Sequence, residues 1–324
     1  MYLGIEIGGT KLQLGVGADD GKLRGLWRGA VDVAAGPEGI RRQIVAAVPE
    51  LLTSAGIARG ELRGVGIGFG GPVDDATHTV IKSHQIEGWD NFPLADWIRE
   101  LLDLPTVLGN DADVAGLAEA LHGAGKGLSP IFYITIGSGI GGGFIINGEI
   151  YRGCGRGAAE IGHLHLLVGE WRSDGNFDTE DRILESVTSG WALGQRAQLS
   201  VAVDPRQFQT LLRLTGGDAK QITSQHLSEA AKQGDRSAQA LLEMPLFYLA
   251  YAICHVIALL CPRRIVIGGG VSLMGEQVLF EPLRRLVAER VFKPFAGLTD
   301  IVPAALGEEV VVHGAIALAH KRPP

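Results

Sequence analysis

The sequence predicts an α/β protein built on mixed sheets, and three observations carry that expectation. Short runs alternate apolar and other residues with period two, as in Leu3, Ile5, Ile7 and then Leu12, Leu14, Val16, the pattern of half-buried strands. Amphipathic stretches such as "PLADWIRELLD" are interleaved with them. A strand, a glycine-rich turn and a second strand occur at "GIEIGGTKLQLGV" (residues 4–16) and again at "IFYITIGSGIGGGFIINGEI" (residues 131–150), which suggests an internal structural duplication.

The elements follow in order. After the first hairpin, Asp20-Gly21 is a turn dipeptide that leads into a further strand. A helical pattern runs from about Pro37 to Ala55; strands follow at "LRGVGIGFGG" and "HTVIKS", then the amphipathic helix, a strand at "PTVLGN" and a helix opening at Ala112. The second glycine hairpin comes next, and residues 190–245 are mainly helical and polar. The end alternates again: a strand at "RRIVIGGG", a helix near Pro282 to Arg290, a strand at "IVPAAL" and a last helix from Val310 to His320. No Pro/Ser-rich linker interrupts the chain, so a boundary near residue 122 is topological.

At 324 residues the chain favours two domains, and 46% hydrophobic with 20% charged residues is an ordinary globular balance with a sizeable core. A net charge of -7 and the absence of a Lys/Arg block give no footprint for nucleic acid and argue against an anionic membrane surface. Three scattered cysteines, Cys154, Cys254 and Cys261, read as reduced thiols. With a strand at the very start and no apolar leader, a cytoplasmic chain is expected. The longest apolar run, Leu246 to Cys261, lies between Pro245 and Pro262 and falls short of the ~20 residues of a membrane span. It reads as a buried central helix with His255 as a core histidine.

Glycine is in excess, 47 residues, about twice the usual ~7%, and it is clustered. A hairpin turn whose N–H groups point outward is a nest for anions, and glycine lets backbone approach closely. Gly8, Gly9 and Thr10 make one such turn, with Lys11 adding a charge; Glu6 is a carboxylate of the kind that holds the water shell of Mg²⁺. Gly137, Ser138 and Gly139 begin a second turn, and "VIGGGVS", with Gly269 and Gly270, follows a strand and could open a helix toward an adenosine moiety. Each is also compatible with a plain tight turn. None is a P-loop or a dinucleotide fingerprint. Asp111 alone suits a helix N-cap, and Glu185 alone suits a solvated helix face.

The segments "GIEIGGTK", "GIGFGGPVD", "GNDADVAGLAEA", "YITIGSGIGGGFIINGEIYRG", "EIGH" and "IVIGGGVS" stand in the order and spacing of the ROK family of sugar kinases and sugar-responsive repressors, which the chain resembles over nearly its whole length. The resemblance implies an actin-like (ribonuclease H-like) ATPase fold of two lobes, each with a mixed five-stranded sheet flanked by helices. It puts residues 1–121 and about 309–324 in the smaller lobe and 122–308 in the larger, with sugar and ATP in a cleft that closes on sugar binding. For the kinase branch it implies ATP-dependent phosphorylation of a hexose or N-acetylhexosamine hydroxyl, with Asp111 as the general base. Gly71, Asn110, Asp111, Glu160, His163 and Glu185 are then sugar-binding. Gly8, Gly9, Thr10, Lys11, Gly137, Ser138, Gly139, Gly269 and Gly270 bind ATP, and Glu6 binds Mg²⁺ through water. A homodimer is implied as well.

Departures from the family pattern set further expectations. Residues 164–184 contain no cysteine where the family usually carries a zinc knuckle, so no zinc is expected, and Trp171 with Phe177 is expected to staple that loop by packing. Glu6 replaces the more usual Asp, Ala159 stands where Gly is common, and Gln85 where an Asn often meets the sugar. Repressors of the family carry a helix-turn-helix ahead of the first glycine turn, and two residues precede the first strand here, which favours kinase over repressor. A non-catalytic sugar or nucleotide sensor is the remaining alternative.

Overall fold

The computed structural model describes residues 1–83, 86–171 and 177–321. Its strands are β1 (Tyr2–Ile7), β2 (Lys11–Gly17), β3 (Leu23–Ala30), β4 (Val65–Phe69), β5 (Val73–Asp74), β6 (Thr79–Val80), β7 (Thr106–Asn110), β8 (Ile131–Ile136), β9 (Ile140–Ile146), β10 (Glu149–Ile150), β11 (His165–Trp171), β12 (Phe177–Ile183), β13 (Arg264–Gly268) and β14 (Asp300–Pro303). The α-helices are α1 (Gly36–Ala55), α2 (Leu94–Leu102), α3 (Asp111–His122), α4 (Glu185–Thr188), α5 (Gly190–Val203), α6 (Gln209–Leu214), α7 (Ser224–Lys232), α8 (Arg236–Leu260), α9 (Glu281–Arg290) and α10 (Val310–Lys321). Two five-stranded sheets result, in the orders β3-β2-β1-β4-β7 and β10-β9-β8-β13-β14. The fold is the actin-like α/β architecture. The run "HTVIKS" forms only the two-residue β6, because His78 at its start adopts a left-handed φ of 51° and the chain turns there.

Contacts divide the chain into two units, one of Met1–Tyr133, Gly143–Ala159 and Ala304–Pro324, the other of Ile134–Gly142 and Glu160–Pro303. Residues 122–133 and 143–159 therefore pack with the N-terminal residues.

In the first unit β1, β2 and β3 are antiparallel, while β1, β4 and β7 run parallel in register, Ile7 beside Phe69 and Phe69 beside Asn110. The carboxyl ends of three parallel strands thus stand side by side. Helix α1 covers one face through Ile40, Ile44, Ala47, Val48, Leu51 and Leu52, spaced as an amphipathic stripe. Helix α10 covers the other, and here the glycine excess finds a use. A Cβ at Gly4, Gly15, Gly66 or Gly68 would stand 2.6, 2.4, 1.8 or 2.3 Å from an atom of α10. Bare backbone lets the helix lie directly on the sheet, and Gly314 in turn brings α10 against the Val114 carbonyl of α3.

In the second unit the long apolar run belongs to α8, which is capped by Asp235 through the Ala238 N–H and carries Pro245 inside it. Pro245 does not bound the helix, as its position in the sequence suggested; α8 starts at Arg236. Nor is the helix buried all round. Leu249, Ala252, Ile253, Val256 and Ile257 face the core, while Phe247, Tyr251 and Leu259 are exposed. His255 lies on that outer face, edge-on to Tyr251 at 4.5 Å, and is not a core residue. At a helical spacing of four it shares the side of Tyr251, and the core side is filled by aliphatic residues.

Candidate active site

In the first unit the site grows from the ends of β1, β4 and β7. The turn after β1 is closed by the Gly8 N–H donating to the Lys11 carbonyl at 3.0 Å, with Thr10 exposed at its tip. Its neighbour is Gly70, whose N–H donates to the Ile7 carbonyl at 2.9 Å. A Cβ on Gly70 would stand in ordinary contact, 3.5 Å from Asp111 Oδ2 and 3.6 Å from Gly8 Cα, so Gly70 lies between the Asp111 carboxylate and the first glycine turn. Asp111 is partly exposed and opens α3.

Asn110, not Asp111, is the N-cap of that helix. Its carboxamide oxygen accepts from the N–H groups of Ala112 at 2.9 Å and Asp113 at 3.3 Å, and its Nδ2 donates to the Gly71 carbonyl at 3.0 Å. One side chain therefore fixes both the helix start and the Gly71 loop, leaving Asp111 Oδ1 to accept from the Ala112 N–H at 2.8 Å. Gly71 is required sterically, since a Cβ would meet the Lys82 carbonyl at 2.7 Å.

Glu6 sits below the first turn. It is buried, Oε1 lies 3.1 Å from the Lys11 ammonium, and Oε2 is buried with no hydrogen-bond partner. Burial pushes its carboxyl up to about 7 despite the opposing pull of Lys11, and the charges of Asp111 and Glu308 add to the rise. Lys11 also donates to the Glu308 carbonyl at 3.2 Å. An orphaned, desolvated carboxylate oxygen below a glycine turn fits a hydrated Mg²⁺ carrying a phosphate.

In the second unit the turn after β8 is closed by the Gly137 N–H donating to Gly139 O at 2.9 Å. Glu185, at the start of α4, braces it: Oε2 accepts from the Ile140 N–H at 2.7 Å, and a Cβ at Gly139 would collide with that oxygen at 2.5 Å. The Glu160 to His163 turn packs on the same place, because Gly162 lies against the Ile140 carbonyl where a Cβ would stand 2.2 Å away. His163 is exposed, and its N–H donates to Glu160 O at 3.0 Å. The Glu185 carboxylate and the backbone of the turn that carries Glu160 and His163 thus meet at the start of β9. Gly269, with φ of 81°, rests on Ile136 at the end of β8, within 2.7 Å of a would-be Cβ. The expected helix after Gly269 and Gly270 is a five-residue 3₁₀ turn, Gly270–Met274, held by Ser272 bonding back to the Gly269 carbonyl.

Sequence reasoning missed Gly70 and Tyr248. The Tyr248 hydroxyl on α8 donates to the Leu167 carbonyl and accepts from the Gly169 N–H, both at 3.2 Å, pinning the β11–β12 hairpin to the helix. The expected stapling by Trp171 and Phe177 concerns side chains outside the described residues, as does Gln85. Among the described residues no group of three or more His, Cys, Asp or Glu side chains is arranged to hold a metal.

The ROK family model matches residues 2–322. The chain belongs to the ROK family. A glucokinase of Thermotoga maritima is 32% identical to it over 99% of this chain and 97% of that protein. An N-acetylmannosamine kinase of Escherichia fergusonii is 30% identical over 84% of this ROK chain and 83% of its own. Among solved structures, a ROK family glucokinase from Streptomyces griseus in complex with glucose and AMPPNP has a TM-score of 0.81 and 31% identity, covering 99% of both chains.

Proposed function

We propose that this ROK sugar kinase transfers the γ-phosphoryl group of ATP to a hydroxyl of a hexose or N-acetylhexosamine, with Asp111 as the general base. The observation that carries the reading is the partly exposed Asp111 carboxylate beside Gly70 and the Gly8 turn, at the carboxyl ends of three parallel strands. Phosphoryl transfer asks a protein chiefly for positioning, for neutralisation of phosphate charge and for a proton acceptor. Asp111 accepts the proton of the attacking sugar hydroxyl, the oxygen of that hydroxyl bonds to the γ-phosphorus, and the bond from phosphorus to the ADP oxygen breaks.

Asn110 and Gly71 hold the loop that presents sugar to Asp111, and Glu160, His163 and Glu185 supply acceptors and donors for further hydroxyls. Glu185 has a second task, since the oxygen that braces Ile140 also fixes the turn at Gly137 to Gly139. The N–H groups around Gly8 to Thr10 and Gly137 to Gly139, together with Gly269 and Gly270, take phosphate oxygens and the rest of the nucleotide. Glu6 and Lys11 hold the metal-phosphate pair when Mg²⁺ is bound, and the ion neutralises charge on the transferring group.

The test is ADP release from Mg-ATP over a panel of glucose, mannose, fructose, N-acetylglucosamine and N-acetylmannosamine. Turnover with one or more of these that depends on Asp111 supports the reading. Sugar binding by calorimetry without any turnover would overturn it in favour of a sensor.

A further inference from the structure

Trp191 is 60% exposed, an uncommon setting for so large an apolar group. Its position is fixed by the start of α5. Ser189 caps that helix by accepting from the Ala192 N–H at 3.2 Å, so Gly190 and Trp191 are its first two residues. The Gly190 N–H donates to the Gly137 carbonyl at 2.7 Å, placing the second glycine turn at the N-terminal end of α5. A Cβ on Gly190 would stand 2.7 Å from that carbonyl and 3.4 Å from Val271 Cγ2, so the loop that begins at Gly269 meets the same point. Three segments of the second unit converge there: the Gly137 turn, the Gly269 to Val271 loop and the first turn of α5. Helical side chains lean toward the N-terminus of their helix, and that end of α5 is the one that meets the Gly137 turn.

We propose that the purine of the bound nucleotide stacks on the Trp191 indole. The inference rests on the reading of Gly137 to Gly139 as a phosphate turn and adds the subsite for the base. A neutral aromatic ring needs a flat apolar surface and no counter-charge, which the exposed indole of Trp191 offers, one residue along from Gly190 and its neighbour, the buried Val271. With the phosphates at Gly137 to Gly139, the base is one ribose away, and Trp191 is the aromatic side chain next to the residue that touches that turn.

The experiment measures binding of Mg-ADP and of inorganic tripolyphosphate, which has no base, to wild type, Trp191→Ala and Trp191→Phe by isothermal titration calorimetry. Unchanged melting temperatures would exclude misfolding. Trp191→Ala should weaken ADP about tenfold while leaving tripolyphosphate alone, and Trp191→Phe should recover most of the loss. ADP should also quench tryptophan fluorescence in wild type and much less in Trp191→Phe. Equal ADP affinity in wild type and Trp191→Ala overturns the proposal, and so does an equal loss of both ligands. Failure of wild type to bind either ligand overturns the phosphate-turn reading itself, and the proposal with it.

Discussion

The Lys11 ammonium lies 3.1 Å from Oε1 of Glu6, yet the Glu6 carboxyl is still pushed up to about 7, because its burial outweighs that one attraction. The unfolded chain ionises Glu6 near 4.5 and the folded one near 7, so the unfolded state gives up its proton first as pH rises. Wild type therefore loses stability relative to Glu6→Gln progressively between pH 4.5 and 7, with no difference of this origin below and a plateau above. Melting temperatures of both proteins from about pH 4 to about pH 8 check this; a gap that does not vary with pH contradicts it. Only ionised Glu6 attracts a cation strongly, so Mg²⁺ affinity should rise over the same window.

Glu119 is fully buried in α3, and its two oxygens accept from the N–H groups of Ala124 at 2.7 Å and of Ala305 and Leu306 at 2.9 Å each. It ties the segment that leads into α10 to α3. Glu119→Ala removes the acceptor that three part-buried N–H groups share and should cost about 2 to 4 kcal/mol. Denaturant unfolding measures it; a loss below about 1 kcal/mol would show those amides finding other partners.

Ala159 adopts a φ of 65°, a conformation that disfavours side chains, immediately before Glu160. Ala159→Gly should relieve this strain and, after the entropy it adds to the unfolded chain, gain up to about 1 kcal/mol, or roughly 2 to 4 °C in Tm. A lowered Tm would refute the strain.

Tyr248→Phe removes the hydroxyl that joins α8 to Leu167 and Gly169. The variant should lose about 1 kcal/mol and exchange the Gly169 amide proton faster, while amides in the first unit keep their protection. Unchanged exchange at Gly169 would mean that the hairpin is held by other contacts.

Local periodicity exposed most of the fold: alternation at Leu3 to Val16 marked the first hairpin, and the recurrence at Ile131 marked the second. What stayed hidden depended on residues distant in sequence. Gly4, Gly15, Gly66 and Gly68 look like turn or nest glycines until α10, some 240 to 310 residues later, is seen lying on them. Pro245 reads as a stop, although the helix carries through it, and His255 reads as core because its neighbours are apolar while its face is not. At the site, the glycine turns and Asp111 were legible as chemical types. The capping role of Asn110, the hydrogen bond from Gly70 to Ile7 and the Tyr248 pin each need a partner that no local pattern names.

The central claim, that Asp111 takes the proton of the sugar hydroxyl, is tested most directly by Asp111→Asn, which keeps size and the capped start of α3. Steady-state phosphorylation of the preferred sugar should fall by about 10²- to 10⁴-fold while calorimetric sugar affinity stays near that of wild type. Turnover within a few-fold of wild type would contradict the account.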